Sequence, residues 1–209
     1  MKRLDTLDDL ALAADRLTCA EPRFASVIER NGLPPLRHAE PDLKCLLRIV
    51  TDQLISLKAG EAIWNRLCNQ LGDFSPEAVL ARSDADLRAL GLSGAKARTF
   101  HFAARAFAAG QFSSAGQQAE EDVFRLLTAL PGVGPWTASI FLLIGLRAAD
   151  AWPAADLALQ VAAQDLLSLA ERPSTDQLVR IGDAWRPDRS TAALILWQHY
   201  RNLRRMPRE

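Results

Sequence analysis

The sequence predicts an all-α protein. Alanine and leucine are abundant, period-2 runs of β-branched residues are nearly absent, and helix-start chemistry recurs along the chain. A first helix is expected over 7–17, and Pro22 opens a second that Gly32 closes. Gly32-Leu33-Pro34-Pro35 reads as a loop, ending near Pro41. From 42 to 58 a long apolar helix is expected to break or bend around 53–56, with another over 59–71 ended by Gly72. Ser75-Pro76-Glu77 supplies an N-cap, a first-position proline and an acidic first turn. Short helices should cover 76–82 and 84–90. Ser93 should cap a helix over 94–109, and 110–116 reads as a linker. Helices follow over 120–129 and 136–146, and another follows Asp156 to about residue 169. Ser174-Thr175-Asp176-Gln177 is a capping-box pattern, and Asp188 is expected to cap a last helix over 189–203.

Bulk properties narrow the function classes. A chain of 209 residues with 49% hydrophobic and 24% charged residues is long enough for one large domain or two small lobes. No apolar run has bilayer length, and the N-terminal residues lack a signal-peptide core, so no membrane partner and a cytoplasmic location are expected. Cys19, Cys45 and Cys68 are too few for a four-cysteine iron–sulfur cluster and read as reduced core residues. His38, His101 and His199 have no metal-ligand spacing. The 25 acidic and 25 basic side chains balance, so charge does not by itself point to nucleic acid. The basic residues Arg201, Arg204, Arg205 and Arg208 gather in the tail.

The stretch with the most chemistry is Leu130-Pro131-Gly132-Val133-Gly134-Pro135-Trp136-Thr137-Ala138, followed twenty residues past the tryptophan by Asp156. Two glycines one residue apart, with a proline at a first helical position, describe a hairpin between helices. The amides of Gly132 and Gly134 then stand at a positive helix N-terminus, a place for a phosphate. Asp156, just before an apolar helix, reads as an N-cap; held ionised and aimed by helix amides, such a carboxylate can also be catalytic.

This pattern resembles the helix-hairpin-helix DNA glycosylases, most of all the bacterial 3-methyladenine DNA glycosylase II branch, without the extra N-terminal β-rich domain of the larger bacterial relative. The resemblance implies a two-lobed helical fold with the DNA site in the cleft between lobes. It assigns 41–148 to a lobe carrying the hairpin, and 1–40 with 149–209 to a lobe carrying the catalytic aspartate. It implies a DNA glycosylase excising alkylated purines, such as 3-methyladenine or 7-methylguanine, from damaged duplex DNA in base excision repair. A monomer is expected. No organic cofactor and no redox or catalytic metal is implied; a structural sodium or potassium ion would sit on the carbonyls of Thr128, Leu130 and Val133.

Carried residue by residue, the resemblance makes Asp156 the catalytic carboxylate. Trp136 stands where relatives that also cleave the backbone carry a Schiff-base lysine, which implies base removal without lyase activity. Trp136 and Trp197 would face the base, together with Ile140 and Leu157, which replace tyrosines and leave a greasier pocket. Gln53-Leu54-Ile55-Ser56-Leu57-Lys58 matches the turn that enters DNA. There Leu54 would fill the gap left by the extruded nucleotide, Gln53 would lie near the opposite base, and Ser56 and Lys58 would meet phosphates. Gly132, Gly134 and Thr137 would hold the hairpin on the backbone. Gly91-Leu92-Ser93-Gly94-Ala95-Lys96 resembles a second turn beside the DNA backbone. Trp185-Arg186-Pro187-Asp188-Arg189-Ser190 resembles a structural turn in which Arg189 pairs with a carboxylate or caps carbonyls. Read from the residues alone, Leu54 and Trp136 also fit core packing. A glycosylase for uracil or deaminated bases, a non-catalytic DNA-binding module and an all-α interaction scaffold remain open at this point.

Overall fold

Short polar side chains start most of the helices. In the computed structural model, which describes residues 1–204, the hydroxyl or carboxylate of Thr6, Asp42, Ser56, Ser75, Ser83, Ser93, Asp156 and Ser174 each accepts a backbone N–H in the first turn of a helix. Thr6, Ser83 and Ser174 complete reciprocal capping boxes with Asp9, Asp86 and Gln177. The resulting helices are α1 (Leu7–Ala20), α2 (Arg23–Asn31), α3 (Leu43–Asp52), α4 (Leu57–Leu71), α5 (Pro76–Leu80), α6 (Asp84–Ala89), α7 (Gly94–Ala108), α8 (Glu120–Thr128), α9 (Pro135–Ile140), α10 (Leu157–Leu166), α11 (Thr175–Asp183) and α12 (Arg189–Leu203). No strand occurs among the described residues; Arg3 and Ala148 form one isolated antiparallel bridge.

The break expected around 53–56 is present: α3 ends at Asp52, and α4 begins at Leu57 because Ser56 caps it, so Lys58 belongs to α4. Three expectations need correction. The helix after the hairpin is α-helical only to Ile140; Phe141–Gly145 widens into a π-helical turn. Asp188 precedes α12 without a side-chain cap bond. Its buried carboxylate instead takes Arg16 Nε at 2.8 Å and Arg16 Nη2 at 2.6 Å, with Lys2 Nζ 3.5 Å away. Cys19 is exposed rather than a core residue, whereas Cys45 is buried and its thiol is pushed up to about 12 by burial. Of the basic tail, Arg205 and Arg208 lie outside the described residues.

The described residues divide into two compact units, Ala39–Leu146 with Met1, and Lys2–His38 with residues 147–204. In the first, α3 packs on α4, α7 and α9, and α7 on α5 and α6. Leu46, Leu47, Val50, Phe100, Leu127 and Phe141 are fully buried there, and Trp64 stacks on Phe74 with centroids 4.6 Å apart. In the second, α12 packs against α1, α2 and α10. Trp185 sits between Phe24 and Trp152 in edge-on contacts at 5.2 and 5.4 Å.

Candidate active site

The hairpin lies in the first unit. Helix α8 ends at Thr128 and the chain reverses through residues 129–134, with Leu130 accepting the Val133 amide at 3.0 Å. Gly132 has φ +86, and a Cβ there would lie 1.9 Å from Thr99 Oγ1 of α7. Both the left-handed backbone and the close approach demand glycine. Gly134 differs: it caps α9 with φ −91, and a Cβ there would meet nothing within 4 Å. Both glycines are exposed, at the positive end of α9.

Thr137 is buried, and its hydroxyl accepts Gln53 Nε2 at 2.7 Å. The same Gln53 nitrogen donates to Gly132 O at 3.2 Å. Gln53 therefore spends its amide on the hairpin. Leu54, the next residue, has φ 55 and is fully exposed, which excludes a core role. Ser56 uses its hydroxyl to cap α4, and Lys58 is exposed. Trp136 is half-buried and Ile140 buried.

Lys96 departs from the reading that set it beside the DNA backbone. Its ammonium turns inward and donates to the carbonyls of Thr51 and Gln53, both at 2.8 Å. Burial lowers its pKa from the ordinary lysine value. Ser93 caps α7 with its hydroxyl, accepting the Lys96 amide at 3.3 Å.

In the second unit Asp156 is the N-cap of α10. Its Oδ1 accepts the amides of Ala158 at 2.9 Å and Leu159 at 3.1 Å. The indole Nε1 of Trp197, from α12, donates to the same oxygen at 3.2 Å. The half-buried carboxylate is thus both a cap and a group with a defined orientation, and Leu157 beside it is 54% exposed. Helix α12 is itself fastened to the segment leading to Asp156. Arg189 donates to Asp150 through Nε at 2.8 Å and Nη2 at 2.9 Å, and Ser190 Oγ donates to Ala148 O and Ala151 O. The Arg189 expectation is met by this fork.

Each unit therefore gathers its own part of the expected set: Gln53, Leu54, Ser56 and the hairpin in one, Asp156, Leu157 and Trp197 in the other. Sequence reasoning missed Lys96 and Thr99 as supports of the hairpin and its neighbouring turn. It missed the Trp197 donor as well, having placed that ring for stacking. Among the described residues no group of His, Cys, Asp and Glu is arranged to hold a metal, and no helix is long and apolar enough to cross a membrane.

The model of the HhH-GPD superfamily of base excision DNA repair proteins matches residues 47–187. An alkylbase DNA glycosidase-like protein, mag2, of Schizosaccharomyces pombe is 26% identical over 201 residues, 91% of this chain and 93% of the relative. The 3-methyladenine DNA glycosylase Mag1 of the same yeast, solved in complex with abasic DNA, superposes with a TM-score of 0.81 at 26% identity, covering 88% of this chain and 94% of that one. A DNA-3-methyladenine glycosidase of Bacillus halodurans gives 0.79 at 26% identity, covering 98% and 94%. With this fold, hairpin and carboxylate, the chain belongs to the HhH-GPD superfamily of base excision DNA repair proteins.

Proposed function

We propose that this protein is a monofunctional DNA glycosylase that removes alkylated purines of the 3-methyladenine and 7-methylguanine type from duplex DNA. The observation that carries the proposal is the Asp156 carboxylate, whose Oδ1 is held by the Ala158 and Leu159 amides and the Trp197 indole. Three donors on one oxygen fix the direction of the carboxylate. The names of the superposed yeast and Bacillus proteins supply the substrate class.

Breaking the N-glycosidic bond leaves positive charge on the deoxyribose, which a fixed anion stabilises. Water then bonds to C1′, its proton passes to Asp156 or to solvent, and the electron pair of the broken bond stays with the base. An N-alkylated purine already carries positive charge and departs neutral, so one carboxylate suffices without a strong general acid. Trp136 offers no amine to form a Schiff base, so the product is an intact strand with an abasic site.

Leu54 would enter the duplex, and the exposed glycines at the start of α9 would meet a phosphate. Thr128 is the last residue of α8, and Leu130 and Val133 follow it in the turn, where Leu130 O also accepts the Val133 amide; a cation there would be held by the carbonyls of these three residues. Neutral hard oxygens at a negative helix end suit a monovalent cation, whose role would be structural. Bound sodium or potassium should raise Tm in proportion to the logarithm of its concentration, beyond the effect of choline chloride.

The test incubates the protein with methylated duplex DNA, identifies the released bases, and treats the strand with alkali. Release of 3-methyladenine, with breaks appearing only after alkali, supports the proposal. Strand breaks without alkali contradict the monofunctional reading. A second reading, excision of uracil or deaminated bases, draws on the apolar Ile140 and Leu157; release of uracil but no methylated purine would favour it. Salt-sensitive binding with no base released would leave a DNA-binding module.

A further inference from the structure

We propose that Lys96 is a positioning residue: with Gln53 it holds the turn that presents Leu54 and ties that turn to the glycine hairpin. The inference rests on the reading of Leu54 as the residue that enters the duplex.

Leu54 has a problem that its own side chain cannot solve. Its φ of 55 lies in the left-handed region, disfavoured for a residue with a Cβ. Its side chain is fully exposed, so no packing offsets that strain. The conformation must be imposed by the neighbouring backbone, and two polar ties act there. Lys96 Nζ donates to Thr51 O and Gln53 O, both at 2.8 Å, where α3 ends. Those carbonyls belong to the helix terminus that lacks intrahelical partners and carries partial negative charge, so a cation suits them. Gln53 Nε2 reaches Thr137 Oγ1 and Gly132 O, at 2.7 and 3.2 Å, which fastens the same residue to the hairpin.

Helix α7 joins the two ties. Three residues past Lys96, Thr99 lies so close to Gly132 that a Cβ on the glycine would overlap its hydroxyl. Residues three apart share a helix face, so one face of α7 seats the Leu54 turn and the phosphate hairpin together. The intruding side chain and the backbone grip thus share one rigid support, and Leu54 is aimed before DNA arrives.

The test uses the full chain and a duplex carrying 2-aminopurine next to a tetrahydrofuran abasic analogue, so that unstacking is read as fluorescence without turnover. Leu54→Ala, Lys96→Met and their double variant are compared, with Tm recorded for each and binding followed across a salt series. We expect Lys96→Met to lower the fluorescence rise about threefold to tenfold, as Leu54→Ala does, and the double variant to lose no more than Leu54→Ala alone. The salt slope should stay at the parental value, because the ammonium touches carbonyls and no phosphate. A parental signal in Lys96→Met, losses that multiply in the double variant, or a salt slope reduced by about one would overturn the assignment. Should Lys96→Met not fold, Gln53→Met removes the other tie and must show the same dependence on Leu54. A parental signal in Leu54→Ala itself would instead defeat the reading of Leu54, and with it this inference, while leaving base release by Asp156 intact.

Discussion

The indole nitrogen of Trp197 donates to Oδ1 of Asp156 at 3.2 Å, across forty-one residues of chain. A ring placed by the sequence for stacking on a base thus also aims the carboxylate. The two roles separate in Trp197→Phe, which keeps an aromatic face and loses the donor. Losing a hydrogen bond to a charged group costs about 1.5–3 kcal/mol, so single-turnover base release should fall at least about tenfold. A parental rate in the phenylalanine variant would leave stacking as the whole of its role.

Asp156→Asn separates cap from catalyst on the other partner. Asparagine caps helices as well as aspartate does, so Tm should stay within a few degrees of the parent. The negative charge is gone, and release of methylated purines should fall by about a hundredfold or more. Measuring both quantities on one preparation decides the matter: an Asn variant that is fully folded and fully active leaves Asp156 as a cap alone.

Local signals were readable in the chain and distant partnerships were not. Ser75, Ser93 and Ser174 cap where their neighbours in sequence said they would, because a cap needs only the next three residues. The Gly132 turn was legible for the same reason, since Pro and Gly at fixed offsets dictate the reversal. Lys96 was misread because its partners, Thr51 and Gln53, lie more than forty residues upstream and are backbone carbonyls, which leave no trace in side-chain identity. Asp188 was misread as a cap because nothing nearby announces Arg16, 172 residues away. The π-helical turn at Phe141–Gly145 escaped because its residues are as apolar as those of a regular helix.

The Asp188–Arg16 fork predicts an asymmetric response. Asp188 is almost fully buried, whereas about half of the Arg16 side chain meets water. Arg16→Met strands a buried carboxylate with only the more distant Lys2, and should cost about 3–5 kcal/mol. Asp188→Asn leaves a guanidinium that water can still reach, and should cost about 1–3 kcal/mol. Urea unfolding of the two variants checks the order. Equal losses, or the reverse order, would mean that the fork contributes by packing rather than by charge.

Gly132 and Gly134 sit two residues apart in one turn, yet they should fail differently. Alanine at Gly132 needs φ near +86 and places its Cβ 1.9 Å from Thr99 Oγ1. Strain and overlap together should destabilise by about 2–4 kcal/mol. Alanine at Gly134 finds φ −91 and open space, so it should cost no more than about 1 kcal/mol, the difference between these residues at an N-cap. That open space is where a phosphate would approach the amides of α9. A methyl group there should weaken duplex affinity roughly tenfold, the order of one lost hydrogen bond to a charged group. Thermal melts and fluorescence anisotropy on the two variants supply both readouts. The combination Gly132→Ala with Thr99→Ala adds a control: removing the obstructing hydroxyl should recover part of the lost stability, leaving the backbone strain and a tight 3.0 Å approach to the Cβ of residue 99. Normal duplex binding by Gly134→Ala would take the phosphate grip away from this turn.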